Sequence, residues 1–327
     1  MRVLVTGGSG YVGAQTVRRL ARDGTSVVVV DRVPPPLALR PSIERFVEGD
    51  IRTPGLLDRI FVDHDIDAVI HLAADKSVEQ SVRDPGRYFD NNVHGTLTLV
   101  EAMHRANIRS IIFSSTCAVY GTPERMPVTE ASPLGPESPY GASKLMAEGI
   151  IDWYSRCHGV RHVTLRYFNA AGAALEGDIG EDWADAQTLV PRVIKATLGR
   201  SGPLTIYGDD YPTPDGTAIR DYVHVVDLAD AHAIALDHLA RSGTSLVLNL
   251  GTGTGTSVFE VIEMTSAVSG MTVPVVLGPR RPGDAVALWA DNTIALDELG
   301  WRPTHTLRDI IETAWRWHTA HPDGAAR

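Results

Sequence analysis

The chain has 327 residues, of which 43% are apolar and 21% are charged, and this composition excludes a disordered or fibrous protein. Its 30 Lys and Arg against 40 Asp and Glu give a net charge of −10, so nucleic acid and anionic membranes are poor partners. The chain has no apolar run long enough to span a membrane, no signal-peptide pattern and only two cysteines. We therefore expect a cytoplasmic protein of about two domains.

Short apolar runs alternate with helical patterns along the first half of the chain. We predict strands at 3–5, 26–30, 66–72, 109–113 and 160–167, and helices at 11–22, 88–106 and 144–158. Apolar runs without alternation are typical of strands that are buried on both faces of a parallel sheet. The order of strands and helices therefore predicts an α/β fold with a Rossmann-type, doubly wound parallel sheet.

This regular alternation ends near residue 170. Two segments rich in Gly and acidic residues follow, at 170–188 and 201–222, and the later elements are short. We place a strand at 204–207, a helix near 226–240, a strand near 246–250, and helices near 257–268 and 306–317. We therefore predict a first domain over 1–170 and a smaller α/β domain over 171–327, with some elements after residue 210 returning to the first.

A glycine motif lies between the first predicted strand and the first helix. Gly7, Gly10 and Gly13 permit a tight turn whose N–H groups can approach a pyrophosphate at the helix N-terminus. Asp31 follows at the end of the second strand, where a carboxylate binds ribose hydroxyls and disfavours a 2′-phosphate. The pattern predicts NAD binding, although Arg32 could accommodate the 2′-phosphate of NADP. A turn without a ligand, with Asp31 as a capping residue, is the alternative.

A second glycine-rich segment spans residues 251–257. Although it resembles a phosphate loop, no acidic residue follows it at the spacing that a dinucleotide site requires. We predict a strand-to-helix turn in which Thr256 or Ser257 is the helix N-cap.

Tyr140 and Lys144 are four residues apart in a predicted helix and therefore share one face. A nearby ammonium group favours the phenolate and would lower the pKa of Tyr140, which makes this tyrosine a candidate general base. Ser114, Ser115 and Thr116 end a predicted strand at the sheet edge where such folds bind ligands. Thr116 could bridge a substrate hydroxyl and Tyr140. A surface Tyr–Lys pair without a function is the alternative.

The chain resembles the extended short-chain dehydrogenases/reductases, and most of all the UDP-glucose (UDP-galactose) 4-epimerases. The matching segments are VLVTGGSGYVG at 3–13, EGDIR at 48–52, DNNV at 90–93, GT at 95–96, FSS at 113–115, SPYG at 138–141, SK at 143–144, LRYFN at 165–169, GDDYPT at 208–213, RDYVHV at 220–225 and RRPGD at 280–284. The segment DGT at 215–217 is particularly characteristic of the 4-epimerases.

This resemblance implies a tightly bound NAD and a set of cofactor contacts. Gly7, Gly10 and Gly13 would line the pyrophosphate, Asp31 would bind the adenosine ribose, and Asp50 and Ile51 would lie at the adenine. Leu72, Ala73 and Ala74 would lie under the dinucleotide, which Lys76 and Asn91 would also contact. Lys144 would bind the nicotinamide ribose, with Tyr167 and Phe168 near the ring. Tyr11, Val12, Ser114, Ser115 and Tyr140 complete the expected cofactor site.

The same resemblance implies a nucleotide-sugar substrate, most simply a UDP-hexose. Its expected contacts are Lys76, Thr116, Tyr140, Asn169, Thr188, Leu189, Arg192, Thr205, Tyr207, Arg220, Tyr222, Arg281, Asp284 and Leu288. Tyr207 would lie beside the base, and the arginine side chains suit a pyrophosphate because each guanidinium can donate two hydrogen bonds.

The implied reaction inverts C4 of the sugar. Tyr140 would take the proton of the 4-hydroxyl while hydride passes to NAD, and the 4-keto sugar would turn over before both return. The resemblance also implies a homodimer that forms through helices near 88–106 and 141–157.

Four positions depart from the pattern of the family. Leu288 replaces a tyrosine, Thr188 an asparagine and Arg192 an apolar or aromatic residue, and Asp75 is unusual before Lys76. A small residue at 288 usually goes with room for a larger sugar. The departures indicate either neutral drift or another sugar, such as a hexosamine, a uronate or a sugar of a specialised pathway.

Other activities of the same fold leave different sequence patterns. A sugar-nucleotide 4,6-dehydratase carries an Asp-Glu pair after the Ser/Thr strand end, where this chain has Cys117 and Ala118. A nucleotide-sugar dehydrogenase would release reduced cofactor during turnover, and a reductase would consume it. A non-enzymatic NAD-binding scaffold would usually lack Tyr140 or Lys144, and both are present.

Overall fold

The computed structural model of the chain describes residues 1–183, 187–281 and 285–327. The strands are β1 (Arg2–Thr6), β2 (Ser26–Asp31), β3 (Arg45–Glu48), β4 (Ala68–His71), β5 (Ser110–Thr116), β6 (Arg161–Tyr167), β7 (Asn169–Ala171), β8 (Leu204–Tyr207), β9 (Ile219–Arg220), β10 (Tyr222–His224), β11 (Leu246–Leu250), β12 (Thr256–Ser257), β13 (Val275–Gly278) and β14 (Ala287–Leu288).

The helices begin and end as follows. They are α1 (Tyr11–Arg22), α2 (Leu56–Asp63), α3 (Val78–Arg83), α4 (Pro85–Tyr88), α5 (Gly95–Arg105), α6 (Pro139–His158), α7 (Leu189–Thr197), α8 (Val225–Arg241), α9 (Val258–Ser269), α10 (Thr293–Leu299) and α11 (Leu307–Ala320). A π-helical turn, Phe89–His94, joins α4 to α5, and 3₁₀ turns cover Leu37–Ser42 and Cys117–Tyr120.

Seven parallel strands form the main sheet, in the order β3-β2-β1-β4-β5-β6-β11. The predicted doubly wound fold is therefore confirmed. The central strands are buried along their length, as their unalternating apolar runs predict. The strand order reverses between β1 and β4, where Thr6 pairs with His71, and this switch point opens a crevice at the carboxyl edge.

Several boundaries differ from the sequence-based predictions. The predicted helix at 88–106 begins already with α4 and contains the π-helical turn, and the strand predicted at 66–72 is limited to β4. Strand β3 was missed because Arg45 and Glu48 are exposed at the edge of the sheet and interrupt the apolar run. Helix α7 was missed because Pro191 lies inside it, although proline is tolerated in the first turn.

The later part of the chain forms small sheets beside the main one. Strands β7 and β10 pair in parallel, β12, β9 and β14 form a second sheet, and β8 pairs with β13. A distinct apolar core lies among α7, α9, α11 and β8, around Val193, Ile194, Ile206, Val261 and Ile311. Within the described residues, none of the helices has the length and apolar character that crossing a bilayer would require.

A buried ionic network ties the central strands to α6. Arg166 on β6 donates to both carboxylate oxygens of Glu148 on α6, at 3.0 and 2.6 Å, and also donates to the Tyr120 hydroxyl at 2.9 Å. Ser115 donates to the same carboxylate, and Tyr120 donates to Asn249 at 2.7 Å. The side chains of Arg166 and Glu148 are 5% and 10% exposed, so each buried charge is compensated by the opposite charge of its partner.

We expect Arg166→Met to lower the free energy of unfolding by about 3–5 kcal/mol, because Glu148 would stay buried without its partner. Urea denaturation measures the change. The control is Arg83→Met, which removes an exposed pair with Glu79 and should change stability by less than about 1 kcal/mol. Equal losses in the two variants would contradict this account of the network.

Candidate active site

The turn after β1 is shaped for close backbone approach. Gly7 has a φ of +74°, and a Cβ atom there would lie 2.6 Å from the backbone nitrogen of Ala73. A Cβ atom on Gly13 would collide with the Gly7 carbonyl oxygen. Glycine is therefore required at both positions for the turn to pack against the segment that follows β4.

Helix α1 begins directly after this turn. Gly10 is its N-cap and has no side chain with which to cap the first N–H groups, so these groups can donate to an anion. Tyr11 and Val12 form the first turn, and the Tyr11 hydroxyl donates to the Gly172 carbonyl at 2.6 Å. The glycine cradle and the helix N-terminus together fit the pyrophosphate of a dinucleotide.

Asp31 lies at the carboxyl end of β2, next to the glycine turn. Its carboxylate accepts hydrogen bonds from the backbone nitrogens of Ser9 at 3.0 Å and Val33 at 3.2 Å. Burial raises the pKa of this carboxyl, and the backbone hydrogen bonds oppose the shift. The carboxylate is thus held at the position where it can accept ribose hydroxyls.

Arg32 points towards a cluster of acceptors. Its guanidinium donates to Asn91 and to Asp75, both at 3.4 Å, and lies 3.9 Å from Asp50. Arg87 also binds Asp75, at 2.7 and 3.1 Å. The unusual Asp75 is therefore an ionic partner of two arginines. Because the Arg32 guanidinium is already paired with the Asp75 carboxylate, it is poorly suited to bind a 2′-phosphate.

The π-helical turn connects the cofactor segment to α6. Asn92 accepts from the backbone nitrogen of Asp75 at 2.9 Å, and its amide donates to the Asp75 carbonyl and to Ser143, both at 3.0 Å. Asn91 is buried and donates to Asn92 at 3.0 Å. Sequence reasoning missed Asn92, for which its place beside Asn91 in the matched DNNV segment was the available signal.

The remaining expected cofactor residues lie on both sides of the glycine turn. Leu72, Ala73 and Ala74 follow β4, and the first two donate from their backbone nitrogens to Thr6. Ile51 is buried and packs near Gly95. Arg52 binds the Asp50 carboxylate and lowers its pKa to about 2. An adenine would therefore meet a paired carboxylate at this position.

Tyr140, Lys144 and Thr116 converge where β5 ends against α6. Lys144 is 4% exposed and donates to the Ser114 carbonyl at 2.7 Å. Burial lowers the pKa of Lys144 to about 7, and Glu148 acts in the opposite direction. Burial raises the pKa of Tyr140 to about 12, although its hydrogen bond to Thr116 lowers it.

The expectation that Lys144 lowers the pKa of Tyr140 is therefore wrong for the polypeptide by itself. Desolvation penalises the phenolate more than the surroundings stabilise it, and the lysine ammonium is bound to a backbone carbonyl. A lower pKa at Tyr140 requires additional positive charge in the crevice.

Tyr167 and Phe168 are the aromatic residues expected near the nicotinamide ring, and a buried histidine holds Tyr167 in place. Tyr167 donates to Nε2 of His232 at 2.9 Å, because Nδ1 of that histidine is 2.7 Å from the Leu228 carbonyl and must donate there. Phe168, the next residue, is 6% exposed. Ser115 is 2% exposed and donates to Glu148, so its hydroxyl belongs to the buried network described above.

Two arginines meet at one tyrosine among the expected substrate residues. The guanidinium of Arg281 lies 3.7 Å from the ring centroid of Tyr207, at the end of β8. Hydrogen bonds from Arg281 and from Arg192 lower the pKa of the Tyr207 hydroxyl. The structure thus brings Arg192, Tyr207 and Arg281 together, with Thr205 two residues earlier on β8.

Short strands arrange the remaining expected substrate residues. Leu288 on β14 is in register with Arg220 on β9, and Leu288 is 9% exposed. Asn169 on β7 is in register with Tyr222 on β10. Asp284 lies outside the described residues.

Thr188 and Lys76 share an acceptor that sequence reasoning missed. Thr188 immediately precedes Leu189 at the start of α7, and its hydroxyl donates to Oε2 of Glu181 at 3.1 Å. Lys76 donates to Oε1 of the same carboxylate at 3.1 Å. Glu181 gave no signal, because it lies in a segment rich in glycine and acids without periodicity.

The second glycine-rich segment has an internal partner. The backbone nitrogens of Thr252 and Gly253 donate to the Asp221 carboxylate at 2.8 and 3.3 Å. Ser257 caps α9 and forms a capping box with Glu260, which confirms the predicted N-cap. A carboxylate of the chain thus occupies the position where a phosphate loop would bind its ligand.

Comparison with known proteins gives consistent results. The model of the NAD dependent epimerase/dehydratase family matches residues 3–251. The UDP-glucose 4-epimerase of Lactobacillus helveticus is 46% identical over 328 residues, which cover 99% of each chain.

Two solved structures extend the similarity to three dimensions. The UDP-glucose-4-epimerase of Stenotrophomonas maltophila, with bound NAD and formylated UDP-arabinopyranose, has a TM-score of 0.95 and 39% identity, over 98% of this chain and 99% of that one. The UDP-glucose 4-epimerase of Bifidobacterium longum, in complex with NAD+ and UDP, has a TM-score of 0.93 and 42% identity, over 99% and 100%.

Proposed function

Because the chain belongs to the NAD dependent epimerase/dehydratase family, we propose that it is a UDP-hexose 4-epimerase that interconverts UDP-glucose and UDP-galactose. The observation that carries the proposal is the convergence of Tyr140, Thr116 and Lys144 beside the glycine cradle. The enzyme is an isomerase, and its NAD remains bound through the catalytic cycle.

The cofactor would be held by backbone, carboxylate and lysine groups. The N–H groups at Tyr11 and Val12 would bind the pyrophosphate, and Asp31 would bind the adenosine ribose. The other cofactor contacts are those expected from the sequence, except that Ser115 acts through the buried network. When bound, NAD supplies a hydride acceptor and a positive charge at its nicotinamide ring.

The proton is handled by Tyr140. Its phenolate oxygen removes the proton of the sugar 4-hydroxyl and later returns it to the 4-oxygen after the keto sugar has turned over. Thr116, which hydrogen-bonds Tyr140, orients the hydroxyl, and Lys144, one turn further along α6, would bind the nicotinamide ribose. Burial excludes water from these groups, so the proton returns to the sugar.

The nucleotide would be held by cationic side chains. Arg220, Arg281 and Arg192 suit the diphosphate, with Tyr207 beside the base and Asn169 near the sugar. This arrangement explains how a protein of net charge −10 binds an anion, since the attraction is local. The sugar itself is loosely held, which permits it to rotate.

A second candidate substrate is a larger UDP-sugar, such as a UDP-N-acetylhexosamine or a UDP-uronate. Leu288 favours it, because leucine is smaller than the tyrosine that the resembled epimerases carry at this position. We expect Leu288→Tyr to lower kcat/KM for UDP-N-acetylglucosamine by about tenfold or more and to change kcat/KM for UDP-galactose by less than about threefold. Equal effects on both substrates would contradict this role.

The proposed function is tested by incubating the protein with UDP-galactose, UDP-N-acetylglucosamine and UDP-glucuronate and identifying the products by NMR. We expect a 4-epimer from UDP-galactose. The same assay, read by nicotinamide absorbance, distinguishes a reductase or dehydrogenase, because only those activities consume or release reduced cofactor in net turnover. Absence of an epimer from all three sugars would overturn the assignment.

The proposal includes a homodimer that forms through α5 and α6. Trp153 and Met146 on α6 are 62% and 52% exposed, which favours a covered interface. Light scattering should give about twice the chain mass of 35.3 kDa, and a monomer would contradict it.

We also propose a cofactor domain over 1–170 and a substrate domain over 171–327, which the separate core around Val193 supports. Cys117 and Cys157 are unpaired, in keeping with the cytoplasm.

A further inference from the structure

Glu181 is a buried carboxylate between the two proposed ligand sites. Its residue surface is 4% exposed, and it lies in the segment between β7 and α7. One carboxylate oxygen accepts from Nζ of Lys76 at 3.1 Å, and the other accepts from the hydroxyl of Thr188 at 3.1 Å. Lys76 belongs to the proposed cofactor site as well as to the substrate site, and Thr188 belongs to the proposed substrate site.

The backbone around Glu181 is fixed by α11. The Glu181 carbonyl accepts from Nε1 of Trp317 at 2.8 Å, and a Cβ atom on Gly180 would collide with the Trp317 ring. Trp317 is itself fully buried. The backbone that carries the Glu181 carboxylate is therefore held in place, and the position of the carboxylate determines where Lys76 and Thr188 lie.

The charge of Glu181 requires the lysine. A buried carboxylate is costly unless a cation or hydrogen-bond donors compensate it. The Lys76 side chain is 53% exposed, yet its ammonium turns inward to Glu181 and lies 5.7 Å from the ring centroid of Tyr11. Burial raises the pKa of the Tyr11 hydroxyl and the charge of Glu181 adds to this shift, so the carboxylate lies beside the first turn of α1. Pairing with Lys76 prevents this carboxylate from repelling anions bound there.

We propose that Glu181 is a positioning residue that couples the cofactor and nucleotide-sugar sites by fixing Lys76 and Thr188. This inference rests on the proposed function, in which Lys76 contacts the cofactor as well as the substrate and Thr188 contacts the substrate. Because Thr188 directs its hydroxyl to Glu181, α7 begins at a fixed place relative to Lys76. The hydrogen bond from the Thr188 hydroxyl to Glu181 is then one of the two contacts that couple the sites.

A double-mutant cycle on the purified protein with its bound NAD tests the coupling. We expect Glu181→Ala to raise the Kd for UDP in calorimetry and the KM for UDP-galactose about tenfold, with a smaller effect on kcat. Thr188→Ala should raise both constants by a lesser factor, and the double variant should be no worse than Glu181→Ala. Glu181→Gln, which can still accept from Lys76 and donate to Thr188, should retain most of the UDP affinity.

The control is Glu176→Ala in the same segment, which removes a half-exposed partner of Arg22 and should leave the Kd for UDP unchanged. Additive effects of Glu181→Ala and Thr188→Ala would overturn the proposal, as would unchanged UDP binding in folded Glu181→Ala. If Glu181→Ala does not fold, a Glu181→Gln variant that binds UDP at least tenfold more weakly than wild type would overturn it. A wild-type protein that binds UDP without epimerising UDP-galactose would refute the proposed function instead, while the UDP cycle would still decide the role of Glu181.

Discussion

Tyr140→Phe is expected to lower kcat for UDP-galactose by about 1,000-fold or more while the purified variant retains its NAD. The substitution removes only the phenolic oxygen, which is the atom proposed to accept and return the proton of the 4-hydroxyl. The ring remains edge-on to Tyr88, with centroids 6.4 Å apart, so the packing at the start of α6 is preserved. Turnover and the NAD content per chain are measured on the same preparation.

The control for this experiment is Tyr154→Phe. Tyr154 is on the same helix, but it contacts His104 and His158 away from the crevice, so near wild-type turnover is expected. If Tyr140→Phe retained turnover near the wild-type level, Tyr140 could not be the base. Loss of NAD together with turnover would indicate a binding role rather than proton transfer.

Gly13→Ala is expected to weaken NAD binding at least tenfold, so that the variant is purified largely free of cofactor. The new methyl group would collide with the Gly7 carbonyl oxygen and lie 2.9 Å from Cα of Gly8, both of which belong to the cofactor turn. The turn must open to accept it, and the N–H groups of α1 would then lose their common orientation. Cofactor absorbance after gel filtration, normalised to protein, measures the loss.

Gly202→Ala is the matched control for this variant. Among the described residues, nothing lies within 4 Å of a Cβ atom at position 202, so NAD content and stability should match the wild type. Circular dichroism separates loss of the site from loss of the fold. A folded Gly13→Ala variant that retains a full complement of NAD would contradict the role assigned to the glycine cradle.

Local sequence patterns predicted the main sheet because burial on both faces leaves a direct trace. The run at 26–30 is continuous and apolar, and it became β2. The edge strand β3 left no such trace, because one side of its ladder meets solvent. The role of Asp75 could not be inferred from the sequence, because only the fold brings its partners Arg32 and Arg87 close to it.

The pKa values at the site were less predictable than the positions of its residues in the fold. The spacing of Tyr140 and Lys144 correctly placed both residues on one face of α6, but it could not show that burial raises the pKa of Tyr140. Desolvation depends on everything packed around a group, which a local pattern does not contain. Glu181 was invisible for the same reason, since its partners are 105 and 7 residues away in the chain.

The central claim is that C4 is inverted by a hydride that leaves and returns within one enzyme-bound molecule. Its most direct test is the conversion, in ordinary water, of UDP-galactose that carries deuterium at C4, with the product analysed by NMR. We predict UDP-glucose that retains deuterium at C4. Formation of UDP-glucose with solvent hydrogen at C4, or no UDP-glucose at all, would contradict the account.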